Sequence, residues 1–179
     1  MNVLIKLLEE NAVTKGSVTL ASGKESNFYI DCKKILLNKY GSSKVGSVLN
    51  YYFTYNPTSA KIIAGEGIGG TSLAMIGLSY TTFFTNALLI RKSEKDHGVS
   101  KGNIIEGIQN VTSGSEVLLI EDVVTSGRSV LQAAEKLKLA GFKVVNILSL
   151  IDRQEGGSFL IEKEGYKYNN ILLKDDFNE

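Results

Sequence analysis

The sequence predicts an α/β protein built on a mostly parallel central sheet with helices on its faces. Short apolar runs of strand length alternate along the chain with segments whose apolar residues recur at helical spacing. The predicted strands are 61–64, 86–90, 117–120, 143–151 and 169–173. The predicted helices are 3–12, 46–53, 71–80, 130–140 and 158–164. Charged, polar or glycine residues follow four of these strands, and parallel sheets bind ligands at the carboxyl ends of their strands. We therefore expect one site at that edge of the sheet.

Length, charge and cysteine usage narrow the class of protein. The 179 residues fit one domain, 1–179, with a full-sized core. With 20 Lys and Arg against 19 Asp and Glu, the chain offers no general polyanion-binding surface, so we expect no nucleic-acid partner. No apolar run approaches the roughly 20 residues that span a bilayer, and the N-terminus lacks the continuous apolar core of a signal peptide, so we expect no membrane association. The single cysteine excludes an internal disulfide framework and fits the reducing cytoplasm, where we expect the protein.

The stretch 117–129 carries the clearest functional pattern. An aliphatic run is followed by Glu121 and Asp122, two β-branched residues, and the small-residue turn TSGRS that leads into the helix at 130–140. Small residues let the backbone close around an anion, and the free N–H groups of a helix start favour a phosphate there. Ionised carboxylates only accept hydrogen bonds, which suits the hydroxyl groups of a sugar. The alternative is an ordinary core strand whose acids merely cap the following helix.

Three further strand ends carry polar or flexible residues, each with a simpler structural alternative. Four glycines within 65–70 let the backbone approach a ligand closely, although a flexible surface loop has the same composition. The stretch 91–102 has no apolar period and predicts a mobile loop. It contains the only histidine, His97, and its alternative is a solvated charge cluster. For the charged stretch 152–157, the simpler structural alternative is a capped turn.

Five segments resemble, in the same order, the motifs of orotate phosphoribosyltransferases, a family of the type I phosphoribosyltransferases. Near the N-terminus, an extended piece at 17–20 and a strand at 27–31 belong to a Ser-Gly, Ser-x-x-Tyr-x-Asp pattern, which alone would indicate an ordinary hairpin. The other four segments are the glycine stretch at 65–70, RKSEKDHG at 91–98, EDVVTSG at 121–127 and DRQE at 152–155. The resemblance therefore covers nearly the whole chain.

The resemblance implies a type I phosphoribosyltransferase fold, in which the central sheet carries a small N-terminal hood formed mainly by residues 1–35 with the C-terminal segment. It implies transfer of the 5-phosphoribosyl group from phosphoribosyl pyrophosphate (PRPP) to orotate, which yields orotidine 5′-monophosphate and pyrophosphate in UMP biosynthesis. Mg²⁺ is the implied cofactor, held mainly by PRPP without a direct protein ligand. The implied assembly is a homodimer whose catalytic loop reaches into the partner's site.

The family's functional residues fall on matching positions of this sequence. The catalytic residues implied are Lys95, His97 and Asp122. Those implied to bind PRPP are Arg91, Lys92, Lys95, His97, Glu121, Asp122, Val123, Val124, Thr125, Ser126, Gly127, Arg128 and Ser129. Those implied to bind orotate are Tyr29, Ile30, Thr125 and Arg153. The arginine would meet the substrate carboxylate as a planar fork.

Two positions depart from some members of the family, because Ala21 and Gly69 stand where those members carry lysines. The missing charges leave open weaker turnover, compensation by Lys24 or by the loop lysines, or a changed substrate. Two alternatives remain: a phosphoribosyltransferase for another base, and a regulatory protein that binds PRPP without chemistry. Turnover of orotate against uracil and purines tests the first, and the complete loop motif at 91–98 disfavours the second.

Overall fold

Eight strands and six α-helices are present among the residues described by this computed structural model, which are 1–19, 25–93 and 104–177. The strands are β1 (Val13–Thr19), β2 (Glu25–Ile30), β3 (Ile62–Glu66), β4 (Asn86–Ile90), β5 (Ile105–Glu106), β6 (Glu116–Val124), β7 (Lys143–Asp152) and β8 (Tyr168–Leu173). The helices are α1 (Asn2–Asn11), α2 (Lys33–Leu36), α3 (Lys39–Tyr55), α4 (Gly67–Tyr80), α5 (Arg128–Leu139) and α6 (Gly157–Lys163). Two 3₁₀ turns lie at Ile108–Asn110 and Lys174–Phe177.

The central sheet contains six of these strands in the order β5-β4-β3-β6-β7-β8. All neighbouring pairs are parallel except β4 with β5, so the expected mostly parallel α/β sheet is confirmed. β1 and β2 pair with each other as a separate antiparallel hairpin. The register sets Gly65 beside Ile120 and Val124 beside Asp152, so the carboxyl ends of β3, β6 and β7 meet at one edge.

Side-chain alternation along β6 builds the two core layers that flank the sheet. Leu118 and Ile120 belong to the cluster shared with α1, α3 and α4, whereas Val117 and Leu119 belong to the cluster shared with α5 and α6. All four side chains are fully buried. A strand that is covered on both faces has apolar residues at every position, which is why this run predicted a strand.

Two expectations about the strand ends of the site are wrong. The glycine stretch was expected to be a loop, but Gly67 begins α4, so residues 67–70 form its first helical turn. The acidic pair was expected after the strand, but β6 continues through Glu121 and Asp122 to Val124 because its pairing with β7 continues there. The acids therefore lie on a rigid strand, and three of the four glycines lie in the helix α4, where Gly69 faces Asp122.

The N-terminal hairpin starts earlier than the sequence indicates. β1 and β2 replace the expected segments 17–20 and 27–31, and Val13 pairs with Ile30. The expected Ser22-Gly23 turn, together with Ala21 and Lys24, lies outside the described residues.

The helices also differ from the expected set. α3 begins at Lys39 rather than at 46, because the Asn38 side chain caps it by accepting a hydrogen bond from the Gly41 amide at 2.8 Å. The short helix α2 was not expected at all. Across the described ranges, no helix combines the length and the apolarity needed to cross a membrane.

Candidate active site

A cavity of about 380 Å³ lies at the carboxyl edge of the sheet, where β3 and β6 end and α4 begins. Three carboxylates line it, from Glu66, Glu121 and Asp122. Two lysines, Lys33 and Lys92, complete its charged lining. The expectation of one site at this edge therefore corresponds to a real concave space with both signs of charge.

The acidic pair of β6 is electrostatically asymmetric. The backbone amide of Asp122 donates a hydrogen bond to Oε1 of Glu121 at 3.3 Å. Desolvation, followed by the hydrogen bond and the negative charge of Asp122, raises the pKa of Glu121 well above its ordinary value. Glu121 thus keeps its proton at pH values where an exposed glutamate is ionised, and its carboxyl group can donate as well as accept.

Gly69 lies directly against the carboxylate of Asp122. A Cβ atom built on Gly69 would overlap the carboxylate oxygens of Asp122, so any other residue at position 69 would displace that side chain. The first turn of α4 is glycine-rich because it must pass this close to β6. A lysine at position 69 would therefore require the Asp122 side chain to move from its position in this chain.

A second cavity, of about 150 Å³, continues along the segment that follows the acidic pair. It is lined by residues Val123 to Gly127 and by Ser129, at the start of α5. Gly127 has a φ of +76°, and a Cβ there would lie 2.9 Å from the Gly157 carbonyl oxygen, so this position requires glycine. No side chain of the described residues caps α5, so its first amides are open to an anion. Arg128 is exposed and contributes to neither cavity lining.

The base of the predicted catalytic loop is held by side-chain contacts. Arg91 donates to Oε1 of Glu106 through Nε and Nη2, at 3.0 and 2.8 Å. The Arg91 carbonyl accepts from Lys136 Nζ at 3.0 Å, and the same ammonium group pairs with Glu66 at 2.6 Å. Arg91 thus pairs with Glu106, whereas its neighbour Lys92 lines the 380 Å³ cavity. The predicted catalytic residues Lys95 and His97 lie outside the described residues, as does most of the loop expected to be mobile.

Arg153 directly follows β7, and it contacts β2, the strand that carries two of the other residues expected to bind orotate. Arg153 is buried, at 6 % exposure. Its Nη2 donates to the Phe28 carbonyl at 3.1 Å and pairs with Oε1 of Glu155 at 2.7 Å. Phe28 directly precedes Tyr29 and Ile30 on β2, so the guanidinium lies beside the predicted base-binding strand.

The C-terminal turn at 174–177 contacts this region through side chains that the sequence did not single out. Gln154 has a φ of +58°, and its side chain both donates to and accepts from Asp175, at 3.0 and 3.1 Å. The ring of Phe177 packs 5.9 Å from that of Phe28, measured between centroids. The C-terminal turn therefore contacts both β2, through Phe177, and the residue next to Arg153, through Asp175.

Lys33 is the cavity residue that sequence reasoning missed. Its ammonium group pairs with Oδ1 of Asp31 at 2.5 Å, and that hydrogen bond raises the pKa of Lys33. The sequence does show two lysines, Lys33 and Lys34, shortly after the motif residue Asp31. Which of them lines the cavity depends on the orientation of α2, which the sequence did not predict. Lys34 is exposed and absent from the lining.

Comparison with known proteins first gives the class. The phosphoribosyl transferase domain family matches residues 73–177. This range includes the parts of β6 and α5 that line the two cavities. An adenine phosphoribosyltransferase from Leishmania donovani shares the fold, with a TM-score of 0.71 at 15 % identity over 98 % of this chain and 82 % of that one. The fold and the matched domain define the class as phosphoribosyltransferases.

Sequence relatives then give the family. The orotate phosphoribosyltransferase of Sorangium cellulosum is 39 % identical over 97 % of this chain and 91 % of its own. That of Pyrococcus horikoshii is 38 % identical over 93 % of this chain and 87 % of its own. A crystal structure of the Mycobacterium tuberculosis orotate phosphoribosyltransferase in complex with PRPP matches with a TM-score of 0.81, at 26 % identity over 99 % of this chain and 98 % of that one. The chain belongs to the orotate phosphoribosyltransferase family, which confirms the resemblance drawn from the five motifs.

Proposed function

We propose that this protein transfers the 5-phosphoribosyl group of PRPP to orotate, giving orotidine 5′-monophosphate and pyrophosphate in pyrimidine biosynthesis. The observation that carries the proposal is the segment 121–129, which lines two neighbouring cavities in one continuous stretch. It offers carboxyl groups in the first cavity and an open helix start in the second. A phosphorylated sugar needs these two kinds of group side by side.

Glu121 and Asp122 are proposed to hold the ribose hydroxyls. Breaking the bond between C1 and the pyrophosphate oxygen builds positive charge on the ribose, which the Asp122 carboxylate would stabilise. Glu121 can donate a hydrogen bond while its proton remains, and accept one after the proton leaves. This role supports the assignment of Asp122 as a catalytic residue.

The 5′-phosphate is proposed to lie at the start of α5. The hydroxyl groups of Thr125, Ser126 and Ser129 supply side-chain donors there. The backbone amides of residues 123–129, which include Gly127 and Arg128, supply the remaining contacts with the helix dipole. Rigid backbone donors position the sugar so that the reacting carbon faces the incoming base.

The pyrophosphate is proposed to meet Lys92 in the 380 Å³ cavity and to be covered by the loop that carries Lys95 and His97. Closure of this loop would exclude the water that hydrolyses PRPP. Arg91 would release Glu106 before it contacts the pyrophosphate. Lys136 would keep its hydrogen bond to the Arg91 carbonyl during this change.

Orotate is proposed to bind between Arg153 and β2. The guanidinium would exchange the Glu155 carboxylate for the orotate carboxylate in a two-pronged hydrogen bond. Tyr29 and Ile30 would pack against the pyrimidine, and Thr125 would contact it from the phosphate side. In this arrangement the hairpin, the C-terminal turn and the central sheet act as one domain with a small hood.

Mg²⁺ is proposed to enter with PRPP. Among the described residues, no three His, Cys, Asp or Glu side chains are grouped so that they could hold a metal ion. Magnesium keeps few protein ligands and favours phosphate oxygens, so the donor set present fits an ion carried by pyrophosphate and ribose oxygens. The ion supplies charge neutralisation on the leaving group when it is bound.

A homodimer with catalytic loops shared across the interface completes the proposal, and the cytoplasmic location stays a prediction. The loop base lies at an edge of the sheet, since β5 is the last strand beyond β4, which supports a loop that reaches outward. Refolding Lys95→Ala and Asp122→Asn chains together tests the sharing. About half of randomly formed dimers are hybrids, and each hybrid with exchanged loops has one intact site, so roughly a quarter of wild-type activity should return. If subunit exchange is demonstrated and activity does not return, the loop acts within its own chain.

The activity itself is tested by following the loss of orotate absorbance with PRPP and Mg²⁺. Uracil, adenine and hypoxanthine are the competing bases, and orotate should be consumed in preference to all three. Asp122→Asn should reduce kcat/KM for PRPP, while Glu135→Gln, an exposed carboxylate of α5, serves as the matched control. Consumption of another base instead would reassign the substrate, and PRPP binding without any turnover would identify a regulatory protein.

A further inference from the structure

We propose that Lys33 is a pyrophosphate-binding residue of the PRPP site and that Asp31 positions it, an inference that rests on the proposed function. Lys33 is the first residue of α2 and lines the same cavity as Asp122 and Lys92. It lies outside the five motifs that carry the family resemblance.

The backbone position of Lys33 is fixed by the core. Its neighbours Cys32, Ile35 and Leu36 are all buried in the core, so the backbone of α2 is anchored there. α2 also packs against α4, the helix that begins at the cavity's glycine turn. A lysine held at its Cα by buried neighbours needs to order only its side chain to reach an anion.

Charge balance in the cavity favours this role. Glu66 is already paired with Lys136, and the raised pKa of Glu121 favours its uncharged form. Of the three carboxyl groups in the lining, Asp122 is therefore the one whose negative charge still needs a positive partner. Lys33 is close enough for the charge of Asp122 to act on it. A pyrophosphate adds further negative charge, and Lys33 and Lys92 are the two cations of the described lining that can neutralise it.

The tight contact at Gly69 explains why this cation comes from α2. A side chain at position 69 would overlap the carboxylate of Asp122 where it now lies, so a lysine there would displace that carboxylate. Lys33 supplies a positive charge to the same cavity from another element. The positive charge thus comes from α2 instead of from position 69 of α4, and the carboxylate of Asp122 keeps its position.

Asp31 orients Lys33 before PRPP arrives. Besides the ion pair, Oδ1 of Asp31 accepts a hydrogen bond from the Lys33 backbone amide at 3.2 Å. Both ends of the lysine are therefore fixed by one carboxylate. A plain surface ion pair would stabilise the fold slightly and leave substrate affinity unchanged, so the two roles make different predictions.

Neighbouring lysines provide the matched test. Lys33→Ala, Lys33→Arg, Asp31→Asn and Lys34→Ala are compared by calorimetric titration with Mg²⁺ and PRPP, by steady-state kinetics and by Tm. Lys33→Ala should weaken PRPP affinity about tenfold or more and raise the PRPP KM with it, while the orotate KM stays within about twofold. Lys33→Arg should recover most of the affinity, Asp31→Asn should lose part of it, and Lys34→Ala should match the wild type.

The outcomes separate this inference from the proposed function. If the wild type consumes orotate and Lys33→Ala binds PRPP as well as Lys34→Ala does, the inference is overturned and the activity stands. If Lys33→Ala lowers Tm and weakens both substrates equally, Lys33 is structural and the inference is overturned as well. If the wild type binds PRPP through Lys33 without consuming orotate, the inference stands and the proposed function fails.

Discussion

The two ends of the proposed site are built in different ways. The phosphate end, residues 121–129, is one continuous stretch in which a rigid strand leads into an open helix start. The base end is Arg153 with β2 and the C-terminal turn, and its key hydrogen bond joins residues 125 positions apart, Arg153 and Phe28. The first end depends on backbone geometry, whereas the second depends on side chains from distant segments.

This difference indicates where substitutions should act. Backbone donors at the phosphate end cannot be removed by changing a side chain, so the contacts to the 5′-phosphate should be lost most completely when a substitution moves the backbone. At the base end, single side chains carry the recognition, so truncating one should affect orotate selectively. The following predictions test this contrast, from the largest expected effect to the smallest.

Gly127→Ala should have the largest effect, lowering kcat/KM for PRPP by about 100-fold. Alanine at a φ of +76° is strained, and its Cβ would press on the Gly157 carbonyl oxygen, so the start of α5 must shift. Steady-state kinetics with varied PRPP checks this. Gly114→Ala is the control, since Gly114 has a similar φ of +84° with nothing within 4 Å of its Cβ position. Equal losses of activity in the two variants would contradict a phosphate site at α5.

Arg153→Ala should raise the orotate KM by about 10- to 100-fold, with little change in the PRPP KM. Loss of a charge-assisted hydrogen bond costs roughly 1.5–3 kcal/mol, and only orotate carries the carboxylate concerned. Arg153→Lys keeps the positive charge but cannot form the two-pronged hydrogen bond. Its orotate KM should therefore lie between those of the wild type and of Arg153→Ala. A parallel rise in both KM values would assign Arg153 to the scaffold.

Glu121→Gln should flatten the pH dependence of stability. A folded-state pKa raised above the ordinary value means that the folded protein binds more protons than the unfolded chain. Wild-type stability should therefore fall as pH rises from about 4.5 through the raised pKa, by at most about 1.4 kcal/mol per pH unit. Urea unfolding at a series of pH values measures this, with Glu135→Gln as the control. An unchanged slope in Glu121→Gln would show that Glu121 is ionised throughout.

Glu155→Ala should have the smallest effect, lowering the orotate KM by about two- to fivefold. The Glu155 carboxylate pairs with the Arg153 fork that orotate needs, but it is 41 % exposed and the pair is worth at most about 1 kcal/mol. Glu162→Ala removes an exposed carboxylate from α6 and should leave the orotate KM unchanged. A higher orotate KM in Glu155→Ala would mean that Glu155 orients Arg153 for the substrate.

The same contrast explains what could be predicted from the sequence. The apolar run of β6 and the small residues after it depend on local structure, so this central strand and the proposed phosphate end could be predicted from one stretch. The start of α4 was not predicted, because glycines disfavour helices, and the close approach of Gly69 to Asp122 and of Gly70 to the Ile120 carbonyl is visible only in the fold. Nothing local distinguishes Lys33 from Lys34, and nothing local indicates that Gln154 is bonded to Asp175. These features depend on contacts between segments that are remote in the chain.

The burial of Cys32 makes the protein ready for single-site fluorescent labelling. It is the one cysteine of the sequence, fully buried, and burial together with the charge of Asp122 raises the pKa of its thiol well above the ordinary value. Maleimides react with thiolates, so they should spare Cys32 in the folded protein. A Ser93→Cys substitution would then give one reactive thiol next to Lys92, at an exposed position beside the cavity. A dye attached there would follow the arrival of PRPP in real time without prior removal of a native thiol.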